Sequence, residues 1–140
     1  MKTWQKLSLI AAALTLSTAA FADPTGTWRT IDDKTGQAKS LVRISNEGGK
    51  YVGRIAEILN GPSVCDICEG EFHGKNLIGQ TILWGLKSEG DNKYGGGRIQ
   101  DPKNGKTYNA SMVDNGNSLD VRGYIGVSAL GRTQKWQRVK

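Results

Sequence analysis

The sequence predicts an all-β protein, an eight-stranded antiparallel barrel. Three observations carry this expectation. Apolar residues alternate over short segments separated by Gly, Asn, Asp and Pro turns. Glycine is abundant, with 19 in 140 residues. Gly26-Thr27-Trp28 opens the folded part, and Gly131 to Arg138, containing Trp136, closes it. A Gly-x-Trp on a first strand and an Arg on a last strand suit a closed barrel. There the indole plugs one end and a guanidinium stacks on it.

Residues 1–22 read as a signal peptide. Lys2 and Lys6 form a basic start, Leu7 to Leu16 an apolar run, and Ala20-Phe21-Ala22 a cleavage signal, so cleavage is expected after Ala22. The run is too short to cross a bilayer as a helix, and no membrane span is expected elsewhere. Residues 23–140 are one domain, destined for the periplasm or for secretion. Cleavage removes two lysines from a formal net charge of +6. The remaining basic residues are scattered, without the Lys/Arg blocks of nucleic-acid arms, so no nucleic-acid partner is expected.

The elements follow in order. Strand one is expected over Gly26 to Ile31, before the turn Asp32-Asp33-Lys34-Thr35-Gly36. Strand two covers Ser40 to Ser45, with Val42 and Ile44 on one face. Asn46-Glu47-Gly48-Gly49 turns into strand three, Lys50 to Ile58. Leu59 to Asn76 breaks the rhythm and carries Pro62, both cysteines and the sole histidine, so it reads as a functional or disulfide-tied loop. A helix could also lie there. Strand four is Thr81 to Leu86, where alternation places Ile82, Trp84 and Leu86 on one face, and Ser88 to Asn92 is a turn.

Strand five is Lys93 to Gln100, with a bulge or bend at Gly95-Gly96-Gly97. In Asp101-Pro102-Lys103-Asn104-Gly105, proline presets φ and Asn-Gly accepts positive φ. Strand six is Lys106 to Val113, and Asp114 to Asn117 is a hairpin turn. Strand seven is Ser118 to Tyr124, Gly126 to Gly131 a small flexible connection, and strand eight Thr133 to Val139. Closure of eight strands removes exposed sheet edges.

These segments contain motifs that resemble one known family. They are Gly26-Thr27-Trp28, Cys65-Asp66-Ile67-Cys68, Ile82 to Leu86, Gly95 to Pro102, Asn104 to Tyr108, Val121 to Gly126 and Leu130 to Arg138. Jointly they are similar to the exported bacterial family catalogued as domain of unknown function 2147, over essentially all of residues 23–140. The resemblance implies a lipocalin-like (calycin-type) barrel and brings no established activity.

Several residues are candidates for chemistry. Cys65 and Cys68, in an oxidising compartment, favour a local disulfide over a thiol or metal site. The acidic neighbours Asp66, Glu69 and Glu71 would raise a thiol pKa, which disfavours redox work. A metal would need His73 and those acids as further ligands, and none is expected. His73 reads as a solvated loop residue. Arg98, Asp101, Arg122 and Tyr124 could orient a ligand carboxylate or phosphate, or instead tie strands five and seven together. Trp84 is the expected cavity wall, whereas Trp28 and Trp136 are expected to seal the barrel end. Tyr108 completes the candidate ligand site.

No P-loop, G-x-S-x-G or H-E-x-x-H pattern occurs, so neither a catalytic residue nor a cofactor is expected. The leading expectation is non-catalytic binding of a small apolar or amphiphilic ligand in the barrel mouth. The alternative is an envelope-associated factor or inhibitor with a filled barrel, acting on a protein partner. A thiol or metal site at Cys65–Cys68 is the weaker third reading.

Overall fold

The computed structural model describes residues 23–68, 70, 73–102 and 104–139. The expected signal peptide, residues 1–22, lies outside them. Eight strands form: β1 (Gly26–Ile31), β2 (Ala38–Glu47), β3 (Lys50–Ile58), β4 (Thr81–Gly90), β5 (Lys93–Gln100), β6 (Thr107–Asp114), β7 (Ser118–Tyr124) and β8 (Gly131–Arg138). Each pairs antiparallel with its neighbours in sequence, and β8 pairs with β1 to close the barrel. Among the described residues no α-helix forms in the long β3–β4 connection.

The strand boundaries shift where polar residues sit on an exposed strand end. β4 runs through Ser88 to Gly90, because only Asp91 and Asn92 are needed to turn. Their φ angles of 53° and 63° are the left-handed pair of a tight hairpin. β2 is likewise longer than the apolar pattern alone implies.

Up-and-down connectivity sorts the connections by end. The short hairpins β2–β3, β4–β5 and β6–β7 share one end with both chain termini. The connections β1–β2, β3–β4, β5–β6 and β7–β8 share the other. The first end is sealed. Fully buried Trp28 donates from Nε1 to Pro24 O at 2.8 Å, and the Arg138 guanidinium lies 4.3 Å from its ring centroid. Arg138 also donates to the carbonyls of Asp23, Thr25 and Gly116. Above this seal, Val42, Ile44, Leu83, Leu86, Met112 and Leu119 fill the bore, with Tyr51 packed edge-on against Tyr94.

The triple glycine does bend β5. Its register against β6 shifts between Tyr94 and Gly97, and Gly96 has a φ of 73°. Gly97 faces the core so closely that a Cβ there would sit 2.6 Å from Leu86 Cγ and from Trp84 O.

Candidate ligand-binding cavity

The other half of the barrel is hollow. A cavity of about 580 Å³ opens at the end formed by the four long connections. Ile55, Ile82, Ile99 and Val121 wall it, and buried Trp136 forms its floor. Polar groups within this wall are largely consumed by one another. Thr30 Oγ1 and Ser40 Oγ share a hydrogen bond of 2.8 Å, and Trp136 Nε1 donates to Gln134 Oε1 at 3.2 Å. Gln100 is the exception: it also lines the cavity and is buried, and its Oε1 has no hydrogen-bond partner, so a mostly aliphatic interior keeps one free acceptor.

The rim is more polar and is tied together across strands. Asp32 is buried, and its Oδ1 accepts from the amides of Lys34 and Thr35, which shapes the β1–β2 turn. Its neighbour Asp33 pairs with Arg132, linking that turn to β8 and holding the guanidinium pKa above its ordinary value. Asp101, Tyr108 and Tyr124 also line the opening, with Asn104 Nδ2 donating to the Tyr108 hydroxyl at 3.0 Å.

The long β3–β4 connection also rims the opening. Cys65 and Cys68 form a disulfide with 5.5 Å between their Cα atoms, and both are buried. The connection is closed by its own backbone. Val64 bridges Asn76, Gly74 N donates to Cys65 O at 2.8 Å, and Leu77 N donates to Ser63 O at 2.6 Å. Exposed His73 contacts Cys68 O through Nδ1 at 3.1 Å. The disulfide seats this connection on the β5–β6 turn. Gln100 Nε2 reaches Cys68 Sγ at 3.3 Å, and a Cβ at Gly105 would lie 2.3 Å from Cys68 Cα. The described residues hold no group of three His, Cys, Asp or Glu side chains placed for a metal. Glu69 and Glu71, offered above as further ligands, lie outside the described residues.

Three of the six candidate ligand residues do not line this cavity. Trp84 does not line the cavity. Register shifts against β3 and the positive φ of Gly85 (76°) break the alternation, so Ile82, Leu83 and Leu86 are buried and Trp84 stays half-buried. Arg98 is exposed between the inward positions Gly97 and Ile99, and donates to Asn109 Oδ1 at 2.8 Å. Arg122, between Val121 and Gly123, donates to Ser128 O in the β7–β8 connection and to Thr133 Oγ1 on β8. Asp101, Tyr108 and Tyr124 are brought together at the opening. Trp136 is cavity floor rather than end seal, while Trp28 does seal the end. Ile82, Ile99 and Val121 were missed as cavity residues, although alternation along β7 marks Val121 as inward.

A family described as an uncharacterized protein conserved in bacteria, DUF2147, matches residues 26–138. No curated protein matches the chain. The barrel is similar to a solved structure from Helicobacter pylori, HP1028, whose description assigns it to the lipocalin family. Identity is 20%, the match covers 86% of this chain and 85% of that one, and the TM-score is 0.75. The fold is therefore lipocalin-like.

Proposed function

From the premise that the chain belongs to the bacterial DUF2147 family, we propose that it binds a small apolar or amphiphilic molecule in the open half of its barrel. The observation that carries this reading is the cavity of about 580 Å³ with aliphatic walls and a polar rim. That volume falls within the roughly 300–1,000 Å³ typical of small-ligand sites. An apolar body would sit against Ile55, Ile82, Ile99, Val121 and Trp136. A polar end would meet Tyr108, Tyr124, Asp101 and the Asp33–Arg132 pair at the opening. The reading includes export. Cleavage near Ala22 would release the barrel to the periplasm or beyond, where a disulfide such as Cys65–Cys68 persists.

The test joins native mass spectrometry of the protein purified from the periplasm with titration of N-phenyl-1-naphthylamine, an apolar dye. Ile58 lines the cavity near its mouth and is half-buried, so Ile58→Trp occupies the space without disturbing the seal. A co-purifying small molecule, or dye binding that falls about tenfold or more in folded Ile58→Trp, is expected. Equal dye affinity in the variant, or neither dye nor a co-purifying mass in the wild type, would overturn the reading.

A further inference from the structure

Large aliphatic side chains are exposed almost entirely at one end of the barrel. Leu59, Val64, Ile67 and Ile78 lie on the β3–β4 connection, and Ile125, Val127 and Leu130 on the β7–β8 connection. Val139 at the sealed end stands apart. The β7–β8 set is the most extreme, at 68%, 61% and 70% exposed. That connection, residues 125–130, reads Ile-Gly-Val-Ser-Ala-Leu and carries no charge. Single exposed aliphatics are ordinary, whereas a cluster around an opening marks an interaction surface.

Three observations narrow the occupant. First, Val64, Ile67, Ile125 and Leu130 are exposed and also line the cavity, so one apolar track runs from its interior to the outside. A protein seated on this ring would cork the opening, whereas a lipid surface would extend it. Second, the backbone of the β7–β8 tip already has internal partners. Arg122 donates from Nε to Ser128 O at 2.8 Å and from Nη2 to Ala129 O at 3.5 Å, and Leu130 N donates to Val127 O at 3.0 Å. Unpartnered peptide groups are the main cost of placing a loop among lipid chains, and this loop enters with fewer of them. Third, the mouth connections carry only a small acidic excess, Asp32, Asp33, Asp66, Glu69, Glu71 and Asp101 against Lys34, Lys75, Lys103 and Lys106, and Arg132 beside them is paired with Asp33. A ring without strong net charge suits an electrically neutral lipid surface better than a charged partner.

We propose that the β7–β8 tip, through Ile125, Val127 and Leu130, docks the cavity mouth onto a lipid bilayer. The track formed by Val64, Ile67, Ile125 and Leu130 then lets an apolar molecule pass between bilayer and cavity without crossing water. Docking itself does not depend on an occupied cavity, so it stands or falls apart from the binding function.

The test uses the chain beginning at Asp23, which holds all eight strands and omits the apolar leader that would itself bind lipid. Flotation with phosphatidylcholine vesicles measures partition of the wild type, of Ile125→Ser/Val127→Ser/Leu130→Ser, and of Val139→Ser as the sealed-end control. All the changed side chains are exposed, and circular dichroism confirms that each barrel is folded. The wild type and Val139→Ser are expected to float alike, with partition of the triple variant reduced about tenfold or more. Absence of flotation, or equal flotation of the triple variant, overturns the proposal. Concentration-dependent self-association that vanishes in the triple variant, without vesicle binding by the wild type, also overturns it and makes the patch an interface between copies.

Discussion

Replacing Arg138 by methionine should loosen the sealed end more than any contact at the open end does. Methionine keeps an apolar stem over the Trp28 ring but removes the charge and its fork of donors. In the native protein that fork serves the carbonyls of Asp23, Thr25 and Gly116, and stacks 4.3 Å from the indole. Arg138 Nη2 also lies 3.9 Å from Oδ2 of Asp114, a carboxylate with no exposed side-chain surface. That oxygen has no hydrogen-bond partner, so Arg138 is the charge that compensates it. Removing one member of a buried pair costs about 3–5 kcal/mol, and the stacking adds about 0.5–1 kcal/mol. Arg138 keeps 23% of its side-chain surface exposed and the pair is long, so the low end applies. The expected loss is about 3–4 kcal/mol, or roughly 10–15 °C in Tm for a domain of this size. Urea unfolding followed by tryptophan fluorescence measures it. Adding Asp114→Asn to the methionine variant removes the stranded charge, and should return about 1 kcal/mol or more. A single-variant loss below about 1 kcal/mol, or a double variant no better than the single, would refute the assignment of Arg138 as counter-ion.

Two further outcomes follow from the same geometry. Gly105→Ala drives a Cβ to 2.3 Å from Cys68 Cα at a φ of 75°, so strain and overpacking should cost about 2–4 kcal/mol together. Hydrogen exchange should then rise first in the disulfide-bearing connection, and unchanged protection would count against its seating on the β5–β6 turn. Folding lowers the carboxyl pKa of Asp120, chiefly through its hydrogen bond from Lys135 at 2.9 Å. Its contribution is therefore complete above the ordinary carboxylate pKa of about 4, and is lost as pH falls through the lower folded value. Asp120→Asn should flatten the acid limb of the stability profile by the ~0.2–1 kcal/mol of a surface pair, and an identical acid limb would contradict this.

The strands were legible because alternation and turn chemistry agree at each boundary. Asn104-Gly105 and Asn115-Gly116 punctuate where the backbone must turn. The Trp28 seal was legible from its position on the first strand and an arginine on the last. Trp84 was not, because a bulge resets parity and leaves no composition signal beyond Gly85, one glycine among many. Arg98 and Arg122 differ from that case. Gly97 and Ile99, and Val121 and Gly123, flank them on the inward face, so alternation already sends both guanidiniums outward. Chemical attractiveness alone makes them ligand candidates, and strand parity removes them. The cavity itself was not legible. Alternation says which side chains face inward, but not whether eight inward sets meet across the bore, which depends on summed volumes and strand tilt.

The contrast between the two barrel ends bears on why the hollow persists. The sealed half spends its largest side chains on closure: Trp28, Tyr51, Tyr94, Leu86 and Met112 leave little space. The open half places Thr30, Ser40, Ile55, Ile99 and Val121 around the cavity of about 580 Å³, and among the described residues Trp136 is the one buried aromatic that lines it. Unfilled apolar space forfeits packing contacts, and filling it is among the simplest stabilising changes open to a sequence. A barrel acting only through its outer surface would gain from that change and lose nothing. Ile58→Trp makes the conflict measurable in one protein, since the added indole should raise stability while abolishing dye binding. If stability rises and binding is unaffected, the hollow is a packing deficiency; if the two move in opposite directions, it is the site.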